Sequence, residues 1–226
     1  MSFLINPYQF GKLINEFDYL TTNQRTGDAN HTWTSVDIGA EDADRKIIAA
    51  MMHFDINDGY TMDSVTIGGV SAVEIGSYLD SGASDTCNVS YWVADVPTGT
   101  TADIQYIASG VTANVVAGSF FRVVGGNDLT NIQDSATSEI TGSATLDCNV
   151  TSQSIVIGAQ IIRDQAASTW VGLTEHVDTH IDLGPNGDCQ YTCASHFAIS
   201  AETPRTISCT TTVPTGVRAN YTIVLS

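Results

Sequence analysis

The chain is poor in bases. Its 226 residues include two lysines (Lys12 and Lys46) and six arginines against 25 Asp and Glu, for a formal net charge of -17 and a pI near 4.2. Such a surface repels polyphosphate and anionic headgroups, so neither nucleic acid nor an anionic membrane is an expected partner. Charge of either sign is scarce: 15% of residues are charged, against about 25% in typical soluble domains. Thr, Ser, Asn and Gly take their place, as suits turns and uncharged strand faces. No window approaches the ~18 consecutive apolar residues of a membrane-spanning helix. Residues 1–7 lack the basic start and long apolar run of a secretory signal, so the reading is a chain folded in a cytosol. The five cysteines (Cys87, Cys148, Cys189, Cys193, Cys209) are an odd number in a chain long enough to close a core without staples, so they are expected as buried thiols. Without a secretory route the Asn-x-Ser/Thr matches at Asn30, Asn88, Asn149 and Asn220 carry no glycosylation reading.

What the chain has is strands and punctuation. Val96-Pro97-Thr98-Gly99 returns near the end as Val213-Pro214-Thr215-Gly216, each followed by a short alternating run. Pro fixes φ and Gly accepts dihedrals other residues avoid, so each copy reads as two antiparallel strands joined by a tight corner. Thr32–Ile38 alternates like a half-buried strand, whereas Arg45–Phe54 and Ser154–Ile162 are short continuous apolar runs that suit central strands. Val65–Ile75 reads as a hairpin turning on Gly68-Gly69. About a dozen short strands with turn signals every ~8–12 residues predict an all-β, antiparallel β-sandwich, of jelly-roll or Ig-like type. The division expected is an N-terminal arm over residues 1–34 and one sandwich over 35–226. The polar stretch from Leu129 to Asn149 is read as internal to that sandwich, because neither half alone counts enough strands. The likeness between the halves points to two sheets or two Greek keys. In the arm, Phe3, Leu4, Ile5, Tyr8, Phe10 and Phe17 crowd apolar groups together, and Pro7 opens a short helix over 8–17. That much apolar surface must be covered, by the chain's own sandwich or by a neighbouring subunit.

Candidate chemistry is thin. In Glu175–Leu183 a strand would place His176, Asp178, His180 and Asp182 on one face, which makes them weak candidates for metal ligands. Residues two apart on a strand lie roughly 6.5–7 Å apart, too far for neighbours to share an ion unaided, so a solvated strand face is the stronger reading and no metal is expected. Cys189-x3-Cys193 departs from the usual two-residue knuckle and has no second pair. Asp55-Ile56-Asn57-Asp58-Gly59 resembles a calcium loop but lacks its closing Glu, and reads as a hairpin turn. Gly118-Ser119 lacks the flanking glycine of a nucleophile elbow. Trp92 reads as core, while Trp33 and Trp170, near polar turns, are candidates for stacking on a glycan. No catalytic residue and no cofactor is assigned, and the chain is not read as an enzyme.

The opening Ile5-Asn6-Pro7-Tyr8-Gln9-Phe10 resembles the start of many structural proteins of tailed-bacteriophage virions. The run Arg45–Phe54, Val65-Thr66-Ile67-Gly68-Gly69-Val70, the Val96–Ala102 corner and Trp170–Glu175 are similar to a loosely defined group of phage β-sandwich proteins. These are turn and strand patterns, none of them a catalytic signature. The resemblance implies a virion location, with assembly in the host cytoplasm. It also implies a capsid decoration (cement) protein, or else a tail or fibre component with a glycan-binding, receptor-binding role. Expected partners are the major capsid protein or tail proteins and further copies of the chain, as a homo-oligomer such as a trimer. The arm residues Phe3, Leu4, Ile5, Pro7, Tyr8 and Phe10 would form the subunit interface.

Overall fold

A computed structural model describes residues 13–27, 30–56, 61–81, 85–109, 113–126, 129–130, 132–138, 143–163, 167–184, 187–211 and 218–226. The regular elements among them are all strands, as the turn spacing predicts. The first half contains β1 (Ile14–Thr26), β2 (Asn30–Asp37), β3 (Arg45–Asp55), β4 (Thr61–Ile67), β5 (Val70–Ser71), β6 (Val73–Ser81), β7 (Thr86–Asp95), β8 (Thr101–Ser109) and β9 (Val115–Gly125). The second contains β10 (Ile132–Ser138), β11 (Ser143–Val150), β12 (Ser154–Arg163), β13 (Ser168–Val171), β14 (Thr174–Asp182), β15 (Asp188–Ala198), β16 (Glu202–Thr211) and β17 (Arg218–Leu225).

These strands build four antiparallel sheets, two per half. The first half has an inner sheet ordered β1-β9-β3-β7-β6 and an outer sheet ordered β2-β8-β4-β5. The second repeats the plan, with an inner sheet β10-β17-β12-β15-β14 and an outer sheet β11-β16-β13. In the first half, β5 and β6 are two pieces of one strand that changes sheets at Ala72. Counted so, the inner sheet holds the first, last, third and sixth strands of the half, and the outer sheet the second, seventh, fourth and fifth. That is jelly-roll order. The second half differs in one respect: its fifth strand, β14, lies wholly in the inner sheet.

The single sandwich that the sequence predicts over 35–226 is therefore two in series, and the predicted boundary at residue 34 falls inside β2. Each half closes a core of its own. Trp33, Ile67, Ile104 and Tyr106 pack against Ile47, Met51 and Phe120 in the first, and Val150, Trp170 and Ile207 against Val156 and Val224 in the second. A third and larger core lies between the inner sheets, where Ile48, Ala50, Met52, Phe54, Val89 and Tyr91 meet Ile155, Ile157, Ile161, Tyr191 and Ile223. Both inner sheets are thus covered on both faces. This is why the central strands β3, β9, β12 and β17 are buried almost throughout and read as continuous apolar runs instead of alternating.

The halves face one another about an approximate two-fold axis. β3 lies against its counterpart β12, β7 against β17, β9 against β15 and β6 against β10. Each of these pairs matches a strand with the counterpart of its own opposite number. The reversed order requires an axis running along the strands, so equivalent ends of the two jelly rolls lie at the same end of the molecule. Cross-links agree: Arg163 at the end of β12 pairs with Asp85 before β7, and the Arg218 amide donates to Asp80 Oδ2 at 2.9 Å. At Gly76 the two sheets leave no room for a side chain: a Cβ there would stand 2.6 Å from the Tyr221 hydroxyl.

Two local expectations change. The helix predicted over 8–17 is replaced by β1 from Ile14 onward, where Phe17 stacks on Phe121 at 5.5 Å and Tyr19 packs on the shared core. Thus the described part of the arm, from Ile14, is covered by its own protein; residues 1–12 and the interface candidates among them lie outside the described residues. The Val96–Thr100 corner joins β7 to β8, which belong to different sheets, so it is a crossing between layers and not a hairpin. Its second copy, at 213–217, lies outside the described residues. The Gly68-Gly69 hairpin stands as predicted, with φ of 60° and 78°.

Candidate functional site

The connections at the two ends of the strands differ in kind. At the end where β1 begins, arginines hold the turns. Arg45 is 1% exposed and donates to the carbonyls of Val96, Gly39, Ala40, Thr98 and Gly99 at 2.6–2.8 Å. Glu41 completes the corner by accepting the Gly99 amide at 2.6 Å. Arg122 binds Glu16 at 2.5 Å, Asp18 at 3.1 Å and the Ala40 carbonyl at 3.1 Å, and Arg205 clasps the Gly172 carbonyl beside Glu202. A guanidinium offers five donors in a fixed fork, which suits it to gathering converging carbonyls. This end also carries the exposed apolar residues Leu13, Val70, Val73, Val171 and Ile199.

Toward the opposite end the interior of each jelly roll turns polar, on equivalent strands. In the second half, Asn220, Gln160, Thr192 and Asp178 form one row across β17, β12, β15 and β14. Asn220 donates to Gln160 at 3.2 Å and Gln160 to Ser168 at 3.0 Å. Asp178 accepts from the Ser168 amide at 3.1 Å and from Gln190. Trp170 lies over Gly158, with its indole N–H on Thr192 Oγ1 at 2.9 Å.

The corresponding region of the first half is open. Because β5 is only two residues long, the outer sheet stops short over β6 and β7 and leaves a pocket of about 160 Å³. His53, Met62, Asn88, Ser90 and Trp92 form its floor, and Thr61, Glu74, Ser77 and Leu79 its rim. The Trp92 indole N–H is fixed on Ser90 Oγ at 2.9 Å. Burial pushes His53 down to a pKa of about 3, so its imidazole is neutral at physiological pH.

The sequence-derived candidates fall elsewhere. A bulge between Glu175 and Val177 turns His176 out of the row predicted for it. Its ring stacks on Tyr19, centroids 4.2 Å apart and planes 5° apart, and its Nε2 lies 2.7 Å from Ser195 Oγ, on the inner-core side. Asp178 is committed to the polar row on the other side, His180 faces Asp188 at 3.3 Å, and Asp182 caps the Gly184 amide at 2.7 Å. The four do not share a face, and no cluster of three or more potential metal ligands occurs among the described residues. Trp33 and Trp170 are 8% and 6% exposed, so neither offers a ring face to a glycan from the surface. All five cysteines are buried thiols, as expected. β3 and β4 lie in different sheets, so they are not the two arms of a hairpin; residues 57–59 of the predicted turn lie outside the described residues. The pocket escapes sequence reasoning because it arises from a short strand, not a motif; the visible signal is the pair of polar residues Asn88 and Ser90, two apart and so on one face, within the mostly apolar run Cys87–Ala94.

Comparison with protein-family models, curated protein sequences and solved structures finds no match to this chain.

Proposed function

We propose that this chain is a structural component of a tailed-phage virion, most simply a capsid decoration protein that assembles by contact and transforms no substrate. The observation that carries the reading is the division of the molecule into two ends. The end at which β1 starts bears the exposed Leu13, Val70, Val73, Val171 and Ile199, and apolar groups exposed at one end of a molecule are candidates for association. Phe3, Leu4, Ile5, Pro7, Tyr8 and Phe10 precede Leu13 in the sequence and are apolar. The paired jelly rolls, a plan used in viral capsid proteins among others, supply a rigid body. The net charge of -17 keeps its remaining surface soluble. On this reading the arginine-braced end seats on the shell or on adjacent copies and the opposite end points outward.

Deleting residues 1–12, and separately replacing Val171 and Ile199 by Ser, tests the proposal in a particle-binding assay. Val171 and Ile199 are exposed, so their replacement spares the core; each change should reduce retention on particles by at least about tenfold. Retention equal to that of the unaltered protein would refute the assignment of this end as the docking end.

A further inference from the structure

We infer that the pocket in the first jelly roll is a binding site for a single neutral, hydroxylated six-membered ring, of the monosaccharide or cyclitol class. The inference is independent of the virion reading and uses none of the residues assigned to docking.

Size sets the first limit. The pocket's 160 Å³ is well below the ~300–1,000 Å³ of drug-sized sites and close to the ~150 Å³ cavity known to hold one benzene ring. Chemistry sets the second. Ser90, Asn88 and Ser77 offer neutral donors and acceptors, Trp92 and Met62 offer apolar surface, and His53, buried and neutral, adds no charge. This is the mixture that recognises a ring carrying hydroxyls on its edge and C–H groups on its faces. Glu74 is the only carboxylate among the described lining residues and stands at the rim, where it can accept from two neighbouring hydroxyls and would repel an anion.

The molecule supplies its own comparison. Trp92 and Trp170 each donate to a hydroxyl on equivalent strands, Ser90 on β7 and Thr192 on β15. In the second half, Gln160, Gln190, Asp178 and Ser168 close the interior with bonds to one another. In the first half the equivalent space is left open and lined with hydrogen-bonding groups. Of two sandwiches built on one plan, one ties Gln160, Ser168, Asp178 and Gln190 together and the other presents its polar groups to an open pocket.

The test uses the full chain and a panel of free glucose, galactose, mannose, N-acetylglucosamine and myo-inositol, read by saturation-transfer NMR and titration calorimetry. At least one should bind saturably. Asn88→Ala and Glu74→Gln should each weaken that binding about tenfold, the loss of one good hydrogen bond. Leu79→Trp should abolish it; Leu79 is 52% exposed, so a larger side chain there blocks the mouth without entering the core, and an unchanged melting temperature would confirm the fold. Absence of saturable binding across the panel would overturn the inference. So would binding that survives Leu79→Trp, since the sugar would then sit elsewhere.

Discussion

His53 is the side chain whose protonation the fold alters most clearly. It is 2% exposed, and burial lowers its pKa from 6.5 to about 3. The unfolded chain takes up a proton near pH 6.5 that the folded chain refuses until about pH 3. The stability due to the neutral ring is therefore complete above pH 6.5 and is lost progressively as pH falls toward 3, at up to about 1.4 kcal/mol per pH unit. Burial lowers His176 and His196 in the same direction, so the three act together on the acid side. Urea unfolding between pH 7 and 4 should show this slope, and His53→Gln should reduce it by about one proton; an unchanged slope would place the titration elsewhere. The cysteines give a second prediction at this scale. Burial raises Cys148 to about 11 and Cys193 and Cys209 to about 12, and Cys87 and Cys189 move the same way. Since the thiolate is the reactive form, a thiol reagent at pH 8 should find no cysteine in the native protein and all five after denaturation.

Among the elements, β12 depends on a residue with no side chain. A Cβ at position 158 would fall 2.6 Å from Trp170 Cζ3 and 3.0 Å from Leu173 Cδ1. Trp170 is held between the sheets by its bond to Thr192, so it cannot swing aside. Gly158→Ala should cost about 1–3 kcal/mol, as overpacking does, and Trp170→Phe in the same background should recover part of the loss. How far such elements can be read from sequence depends on what specifies them. The strands β3 and β12 are legible because burial on both faces demands unbroken apolar runs, and the Gly68-Gly69 turn because its dihedrals demand glycine. The row predicted through His176 fails at a single bulge, which no alternation pattern encodes. The roles of Trp33 and Trp170 are hidden for a related reason. Polar neighbours such as Thr32 and Thr169 suggest a surface, yet in a strand the neighbours point the opposite way, and the indoles enter the cores.

At the scale of the whole molecule, the duplication has a consequence that can be measured. An inner sheet of five strands spaced ~4.8 Å apart and about ten residues long presents a face of roughly 800 Å², about what each partner contributes to a standard protein interface. Here that face is lined by Ile48, Met52, Phe54, Val89 and Tyr91, so it has the apolar character of an obligate contact. Neither jelly roll can leave it in water. Yet β3 already packs on its own counterpart near the approximate two-fold axis, and a surface that fits a copy-like partner about such an axis is close to self-complementary. Residues 1–126 produced alone should therefore not persist as a monomer; light scattering should show a dimer in which a second copy takes the place of residues 132–225, or aggregation where the fit fails. Mixing with the separately produced second half should restore a one-to-one complex at the dimer's expense, because Asp85 and Asp80 then regain Arg163 and Arg218. A stable monomeric first half would mean that its inner sheet tolerates water, and that the large shared core does not hold the two jelly rolls together.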